Sequence, residues 1–196
     1  MNHLIIYSHP NPASFNHAIK ETLVRALKEK GRSVRVRDLY ALRWDPVLRG
    51  DELQALQDSQ KVSRDVAIEQ EHVQWAGQIT WVYPLWWGRM PALTCGYIDR
   101  VFSKGFAYDY DANGPKGLLA GKKGYAFSTM GAPISVYESS GMMKSMEQTV
   151  DQETFRFCGL EMLGHKYFGS VPTVSDEDRK KMLEEVAGIA AAWPFQ

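Results

Sequence analysis

Apolar and polar residues alternate along the chain in segments that predict strands and helices in turn. His3 to Ser8 is a short apolar run, which is typical of a central strand buried on both faces. Ser14 can cap the helix that follows, and Gly31 comes directly after that helix's basic last turn. Ser33 to Leu39 alternates valine with arginine, which favours a strand at the edge of a sheet.

The same alternation continues to the end of the chain. The region from Asp51 to Gly77 predicts a helix in two pieces, and Ser103 to Lys123 predicts a long loop. Ser175 and Asp178 have the spacing of a capping box at the start of a last helix. The other predicted strands are Ile79 to Tyr83, Tyr125 to Met130 and Glu161 to Phe168, and the other predicted helices begin at Pro91 and span Met143 to Phe157. The pattern therefore predicts a three-layer α/β fold, with helices on both faces of a five-stranded parallel sheet.

Length and composition are typical of one globular domain over residues 1–196. Hydrophobic residues make up 44% of the chain, and 23 basic residues balance 23 acidic ones, so we expect no general attraction to nucleic acid. No apolar run reaches the length of a membrane span and the N-terminus lacks the features of a signal peptide. We therefore expect a cytoplasmic protein that is not an integral membrane protein. Cys95 and Cys158 are isolated, which favours reduced thiols over a disulfide or a metal site.

Three loops lie where a ligand would bind, because ligands of open parallel sheets sit beyond the carboxyl ends of the strands. The first, His9 to Asn16, offers imidazole, hydroxyl and amide donors at the start of a helix, where the free N–H groups and the dipole favour a phosphate. It is not a GxGxxG loop, so it points to a flavin rather than to tightly held NAD. The alternative is that Ser14 is only a helix cap and His9 only a turn residue.

The other two loops suit the two sides of a planar ring. Pro84 to Met90 carries two adjacent tryptophans, which cannot both face inward on a strand, although one of them can simply cover the sheet. Ser128 to Gly141 offers backbone N–H groups that would stabilise a reduced flavin. Tyr137 could add a phenolic donor, and the alternative is that this tyrosine has only a structural role.

Other kinds of site find little support. Gly117 to Lys123 superficially resembles a P-loop, but its glycine spacing is wrong and no Ser or Thr follows the lysine. The sequence holds no HExxH, no GxSxG and no carboxylate cluster at metal spacing, and the histidines at 3, 17, 72 and 165 are scattered. We therefore expect no metal site and no hydrolase.

Four segments in order resemble one family: YSHPNPASFN, YPLWWGRMPA, YIDRVFSKGFAY and STMGAP. Together, from His3 to about Gly169, they are similar to the NAD(P)H:quinone oxidoreductases of flavodoxin-like fold. The resemblance implies a sheet of strand order 2-1-3-4-5 and a homodimer. It also implies FMN as the cofactor, because the chain lacks the longer C-terminal region that holds the adenine half of FAD in the animal enzymes; FAD is the alternative. The implied reaction is two-electron hydride transfer from NAD(P)H to a quinone, a similar acceptor, or a nitro or azo compound.

The resemblance also implies roles for individual residues. The flavin phosphate would be bound by His9, Ser14, Phe15 and Asn16. The flavin ring would be lined by Pro84, Leu85, Trp86, Trp87 and Gly88, and its pyrimidine edge by Thr129, Met130 and Gly131. Tyr137 would be catalytic by helping charge move onto the reduced flavin, while Phe106 and Tyr108 would line the acceptor pocket, often across a dimer interface. The chain departs from animal members because Gly141, Met142 and Met143 include no histidine after Tyr137.

Two rival functions share the predicted fold. A flavodoxin-type electron carrier would shuttle single electrons, but the strong acidity usual in such carriers is absent from this neutral chain. A regulatory flavoprotein subunit of a potassium-efflux system would use the same fold for control, and the sequence does not decide against it.

Overall fold

A computed structural model describes residues 1–57 and 62–193. Residues 58–61, which fall inside the predicted helical region Asp51 to Gly77, and residues 194–196 lie outside the described part. The strands are β1 (Asn2–Tyr7), β2 (Ser33–Asp38), β3 (Gln78–Pro84), β4 (Tyr108–Asp111), β5 (Gly114–Gly117), β6 (Lys123–Thr129) and β7 (Glu161–Phe168). The helices are α1 (Phe15–Glu29), α2 (Gly50–Gln57), α3 (Arg64–Trp75), α4 (Ala92–Val101), α5 (Ile134–Ser139), α6 (Met142–Met146), a π-helix (Glu147–Arg156) and α7 (Asp176–Ala192).

The main sheet has five parallel strands in the order β2-β1-β3-β6-β7. Because β6 and β7 are its fourth and fifth strands along the chain, the predicted flavodoxin-like order 2-1-3-4-5 is confirmed, and the valine–arginine strand β2 lies at an edge as predicted. Every residue of β3 is buried, as expected of a central strand with helices on both faces.

Two apolar clusters, one on each face of the sheet, make up the core. On one face Trp81 packs against Tyr97 of α4 and stacks on Phe155 of the π-helix, with ring centroids 4.9 Å apart. On the other face α1 and α7 pack together over the sheet and bury Leu23 and Val186. The predicted three-layer architecture is therefore present. Within the described residues, no helix is both long and apolar enough to span a membrane.

Both predicted helix caps are present. The Ser14 hydroxyl accepts the His17 N–H at 3.1 Å at the start of α1. The Ser175 hydroxyl accepts the Asp178 N–H at 3.1 Å and donates to the Asp178 carboxylate at 2.6 Å at the start of α7. These bonds satisfy N–H groups that have no acceptor within the helix itself.

Two segments differ from the prediction. The predicted loop Ser103 to Lys123 contains an antiparallel hairpin, β4–β5, whose four-residue strands are joined by a turn at residues 112–113, after which Gly114 has a φ of +112°. Gly117 lets this hairpin approach the backbone of Cys158 and Gly159 so closely that a Cβ atom would clash. The predicted helix Met143 to Phe157 is instead the short α6 followed by ten π-helical residues.

Candidate active site

The three predicted loops meet at one edge of the sheet. They follow β1, β3 and β6, which are neighbouring parallel strands whose carboxyl ends lie together. The Asn16 side-chain N–H donates to the Thr129 hydroxyl at 2.7 Å, and the Leu85 N–H donates to the Thr129 carbonyl at 2.7 Å. The rings of His9 and Trp86 lie 6.0 Å apart. Direct contacts therefore join each loop to another.

The first loop, residues 8–14, folds through side-chain bonds to its own backbone. The Asn11 N–H donates to His9 Nδ1 at 3.0 Å, and the Ala13 N–H donates to Asn11 Oδ1 at 2.8 Å. With the His17 N–H bound to Ser14, the first-turn N–H groups of Phe15 and Asn16 have no acceptor within the helix. The loop therefore delivers two free N–H groups and the positive end of the α1 dipole to the edge of the sheet.

The side chains beside these N–H groups are neutral donors or lack partners. Burial lowers the pKa of His9, and because Nδ1 accepts from Asn11, the proton of the neutral ring sits on Nε2. The Ser8 hydroxyl and Asn16 Oδ1 are buried, and neither has a hydrogen-bond partner among the described residues. A bound group that carries hydroxyls would satisfy them.

The second loop is a two-residue hairpin turn that holds a tryptophan in an unfavourable backbone conformation. Trp86 and Arg89 exchange both backbone hydrogen bonds, at 3.0 and 3.2 Å. Between them Trp87 has a φ of +55° and Gly88 a φ of +69°, which is the conformation that favours Asn-Gly. Trp87 is nevertheless 96% exposed. A bulky residue at positive φ that packs against nothing in its own chain is a candidate ligand contact.

The third loop offers a backbone donor at Gly131. The Met130 N–H donates to the Phe168 carbonyl at 2.9 Å, and its side chain is buried, so Met130 offers no free N–H at the site. The next N–H, that of Gly131, has no acceptor among the described residues. A Cβ atom at Gly131 would meet nothing within 4 Å, so no contact in the described chain requires glycine there. A ligand close to this N–H would account for the glycine.

The remaining predicted residues lie further out. Tyr137 is on α5 and is half-buried against the core. Phe106 and Tyr108 lie past the far end of α4, whose ten residues span about 15 Å. There Tyr108 lines a cavity of 230 Å³ with Phe102 and Asp99. Within a single chain the structure therefore does not bring Phe106 and Tyr108 together with the three loops.

Sequence reasoning missed a buried polar group beneath the loops. His165 is one of several histidines scattered along the sequence, yet its ring contacts Ser128 on β6 and Asp151 on the π-helix. Two signals were available. His165 lies inside a segment already predicted as a strand, and period-two alternation puts it on the same face as Tyr167.

The described residues hold neither a candidate metal cluster nor a disulfide. In the ranges 1–57 and 62–193, no group of three or more His, Cys, Asp or Glu residues is arranged to hold a metal ion. Cys95 and Cys158 are both unpaired, and burial raises the pKa of the Cys158 thiol to about 11, which makes it a poor nucleophile.

Comparisons with known proteins identify the family and the fold. A family model described as having a flavodoxin-like fold matches residues 1–190. The chain is 38% identical over 188 residues to an uncharacterized NAD(P)H oxidoreductase of Haemophilus influenzae, covering 95% of this chain and 93% of that protein. It is 36% identical over 179 residues to NAD(P)H dehydrogenase (quinone) 1 of Cavia porcellus, covering 82% and 65%.

A solved structure extends the similarity to the whole fold. The NAD(P)H:quinone oxidoreductase of Methanothermobacter marburgensis superposes with a TM-score of 0.90 over 98% of each chain. Its sequence identity is 24%, so this likeness concerns the fold alone.

Proposed function

Because the chain belongs to the flavodoxin-like family that includes NAD(P)H and quinone oxidoreductases, we propose that it is an FMN-dependent NAD(P)H:quinone oxidoreductase. The family expected from the sequence is confirmed. The observation that carries the proposal is the convergence of three loops: a helix start with free N–H groups, an exposed tryptophan held at positive φ, and a free N–H at Gly131.

The first loop would hold the phosphate of FMN. The N–H groups of Phe15 and Asn16, the Ser14 cap and the Nε2–H of His9 are all donors at the positive end of α1. The unpartnered Ser8 hydroxyl can donate or accept and the unpartnered Asn16 Oδ1 can accept, so both suit the hydroxyls of the ribityl chain. The residues present therefore fit FMN.

The second and third loops would hold the ring. Pro84 to Gly88 would line one side, with Trp87 covering a face of the ring. Thr129 to Gly131 would lie along the pyrimidine edge, where Gly131 donates its N–H and Tyr137 supplies a phenol. Bound FMN supplies the redox chemistry, which is two-electron hydride transfer from NAD(P)H to a quinone or similar acceptor.

The acceptor side of the site would require a second copy of the chain. Within a single chain Tyr108 lines cavities with Phe102 and Phe157, and neither Phe106 nor Tyr108 lines the described cavity beside His9. Leu53 and Tyr110 are exposed and line the same cavities as Tyr108, and exposed apolar groups of this kind favour association. A homodimer that places this region over a partner's loops would complete the pocket, and sedimentation velocity measures whether the dimer forms.

The narrower parts of the proposal remain predictions. FAD is the alternative cofactor, nitro and azo compounds are further candidate acceptors, and the location is predicted as cytoplasmic. A role as an electron carrier or as a regulatory subunit would use the same flavin site. Steady-state kinetics separates an enzyme from these, because one pocket used in turn by NAD(P)H and acceptor gives parallel double-reciprocal lines, whereas intersecting lines would contradict the shared pocket.

Binding measurements test the proposed cofactor directly. Apoprotein titrated with FMN, FAD and riboflavin should bind FMN at one per chain and riboflavin more weakly, because riboflavin lacks the phosphate that the α1 N-terminus would hold. Equal affinity for FMN and riboflavin would refute the phosphate site. Absence of flavin binding after reconstitution would refute the proposed function.

A further inference from the structure

A hydrogen-bonded network of buried polar side chains lies across the strands of the sheet, beneath the three loops. The Ser128 hydroxyl lies 2.7 Å from His165 Nε2, and His165 Nδ1 lies 3.0 and 3.2 Å from the two Asp151 carboxylate oxygens. The Tyr167 hydroxyl lies 2.9 Å from Nδ1, and the Tyr83 hydroxyl lies 3.5 Å from Nε2. The His165 side chain is only 3% exposed. Nothing in the proposed reaction so far uses these groups.

This polar network lies directly under the residues proposed to bind the flavin. Tyr83 pairs with Ser128, and Ser128 pairs with Tyr167, so the three hydroxyls form one row across β3, β6 and β7. The next row towards the carboxyl edge begins with Pro84 and Thr129. A displacement of these three hydroxyl residues would therefore also displace Pro84 and Thr129, which are proposed to line the flavin site.

The hydrogen-bond pattern has one direction. Burial raises the pKa of Tyr83, against the opposing effect of its hydrogen bond with Ser128, and burial also raises the pKa of Tyr167. Both phenols therefore keep their protons. The Asp151 carboxylate can only accept, so His165 donates Nδ1–H to it and Nε2 accepts from the Ser128 hydroxyl. The Ser128 and His165 donors thus point towards Asp151, and the Tyr167 oxygen, 2.9 Å from Nδ1, can only share the Nδ1–H as a second acceptor.

Asp151 is held in place by the π-helix Glu147–Arg156, between the buried side chains of Val150 and Phe155. Long π-helical stretches are rare and are often found at functional sites. The segment between Ser128 and this helix contains Gly131 and Tyr137. The contacts from Ser128 through His165 to Asp151 therefore join the beginning of that segment to its end.

The same bond pattern occurs in hydrolases, where a serine, a histidine and a carboxylate act on a carbonyl. Here the serine is inaccessible, because Ser128 has 0% exposure. A substrate carbonyl has no route to its oxygen. The pattern is therefore suited to fixing structure rather than to nucleophilic attack.

We propose that His165, oriented by Asp151, is a positioning residue that holds the ends of β3 and β6 and the segment 129–146 in the geometry that binds the flavin. This role presupposes the flavin site proposed above. His165 acts through Ser128 and the hydroxyl row, so its loss should move flavin binding more than it moves folding.

The chain offers a matched control in His3. It is also a fully buried histidine bonded to a strand hydroxyl, with Nε2 2.8 Å from Thr80 Oγ1, but it lies at the opposite, amino-terminal end of the sheet. His3→Gln and His165→Gln therefore each remove a buried imidazole that is hydrogen-bonded to a strand hydroxyl, at the two ends of one sheet. A purely structural role predicts similar effects of both on flavin affinity.

The experiment measures FMN affinity of refolded apoprotein by fluorescence quenching, together with the visible circular dichroism of bound FMN. His165→Leu should weaken binding about tenfold or more, the scale of losing a hydrogen bond to a charged group. His165→Gln keeps one donor and one acceptor and should be intermediate. His3→Gln should stay within about twofold of wild type. If His165→Leu fails to fold, Asp151→Asn replaces it, with a changed dichroism spectrum and weakened binding expected.

Two outcomes would overturn the role of His165 alone. One is an FMN affinity within twofold of wild type both in His165→Gln and in His165→Leu, or in Asp151→Asn where that replaces His165→Leu. The other is an equal loss in His3→Gln, which would show that affinity simply follows stability. By contrast, wild type and His3→Gln that both fail to bind FMN would overturn the proposed function, and the role of His165 with it.

Discussion

Replacing Trp87 by asparagine should stabilise the apoprotein while weakening its flavin site. Trp87 and Gly88 are the two central residues of a hairpin turn, both at positive φ, and Asn-Gly is the preferred pair in such turns. Trp87 is almost fully exposed, so the substitution removes no packing from the chain itself. Stability and binding are therefore expected to change in opposite directions.

The structure sets the size of both effects. A bulky residue in the left-handed region costs on the order of 1–3 kcal/mol, of which asparagine should recover about 1 kcal/mol. In a chain of this length that corresponds to a rise in Tm of about 2–4 °C. Loss of an aromatic stack on the flavin should cost about 0.5–1.5 kcal/mol, or roughly a 2- to 13-fold weaker affinity.

The assay combines thermal unfolding of the apoprotein with titration of FMN into wild type and Trp87→Asn. Trp87→Phe serves as the control, because it keeps an aromatic ring and the unfavourable backbone and should show neither the rise in Tm nor the loss of FMN affinity. A lower Tm for Trp87→Asn would refute the reasoning about the turn. Unchanged FMN affinity would refute the contact between Trp87 and the ring.

Three further predictions concern other parts of the chain. Ser14→Ala should cost about 1 kcal/mol of stability and weaken FMN but not riboflavin, whereas Ser175→Ala should cost similar stability and leave FMN affinity unchanged. Burial lowers the pKa of His3 from 6.5 to about 3, so the unfolded chain binds the proton first and the free energy of unfolding should fall by about 2 kcal/mol from pH 7 to pH 5, a loss absent in His3→Gln. Glu69→Ala should cost about 3 kcal/mol in urea unfolding because it strips the ion pair from part-buried Arg37, while the exposed Glu71→Ala should change little.

Each of these has a contrary result. FMN affinity lost equally in Ser14→Ala and Ser175→Ala would show that α1 is not special for the phosphate. The same pH dependence in wild type and His3→Gln would place the acid-sensitive group elsewhere. Equal stability of Glu69→Ala and Glu71→Ala would show that the pair with Arg37 contributes nothing net.

The sheet and its order were predictable because local pattern and burial agree. His3 to Ser8 and Ile79 to Tyr83 are short apolar runs, and the two strands are buried on both faces as such runs require. Ser14 and Ser175 are the capping residues that their positions predict. The three site loops followed from topology, since residues after neighbouring parallel strands must meet at one edge.

The parts that were not predictable depend on contacts distant in sequence. The hairpin β4–β5 has only four residues per strand and becomes ordered by lying on the backbone near Cys158. The π-helix has no local signal, because it is stabilised by the packing of Phe155 on Trp81 and by the hydrogen bond that His165 donates to Asp151. The positive φ of Trp87 was hidden because the residue type argues against it.

The central claim is tested most directly by the initial rate of NAD(P)H-dependent quinone reduction by the protein with and without bound FMN. The account predicts turnover that requires FMN, exceeds the rate of free FMN at the same concentration and is lost in the apoprotein. A rate no greater than that of free FMN would contradict it.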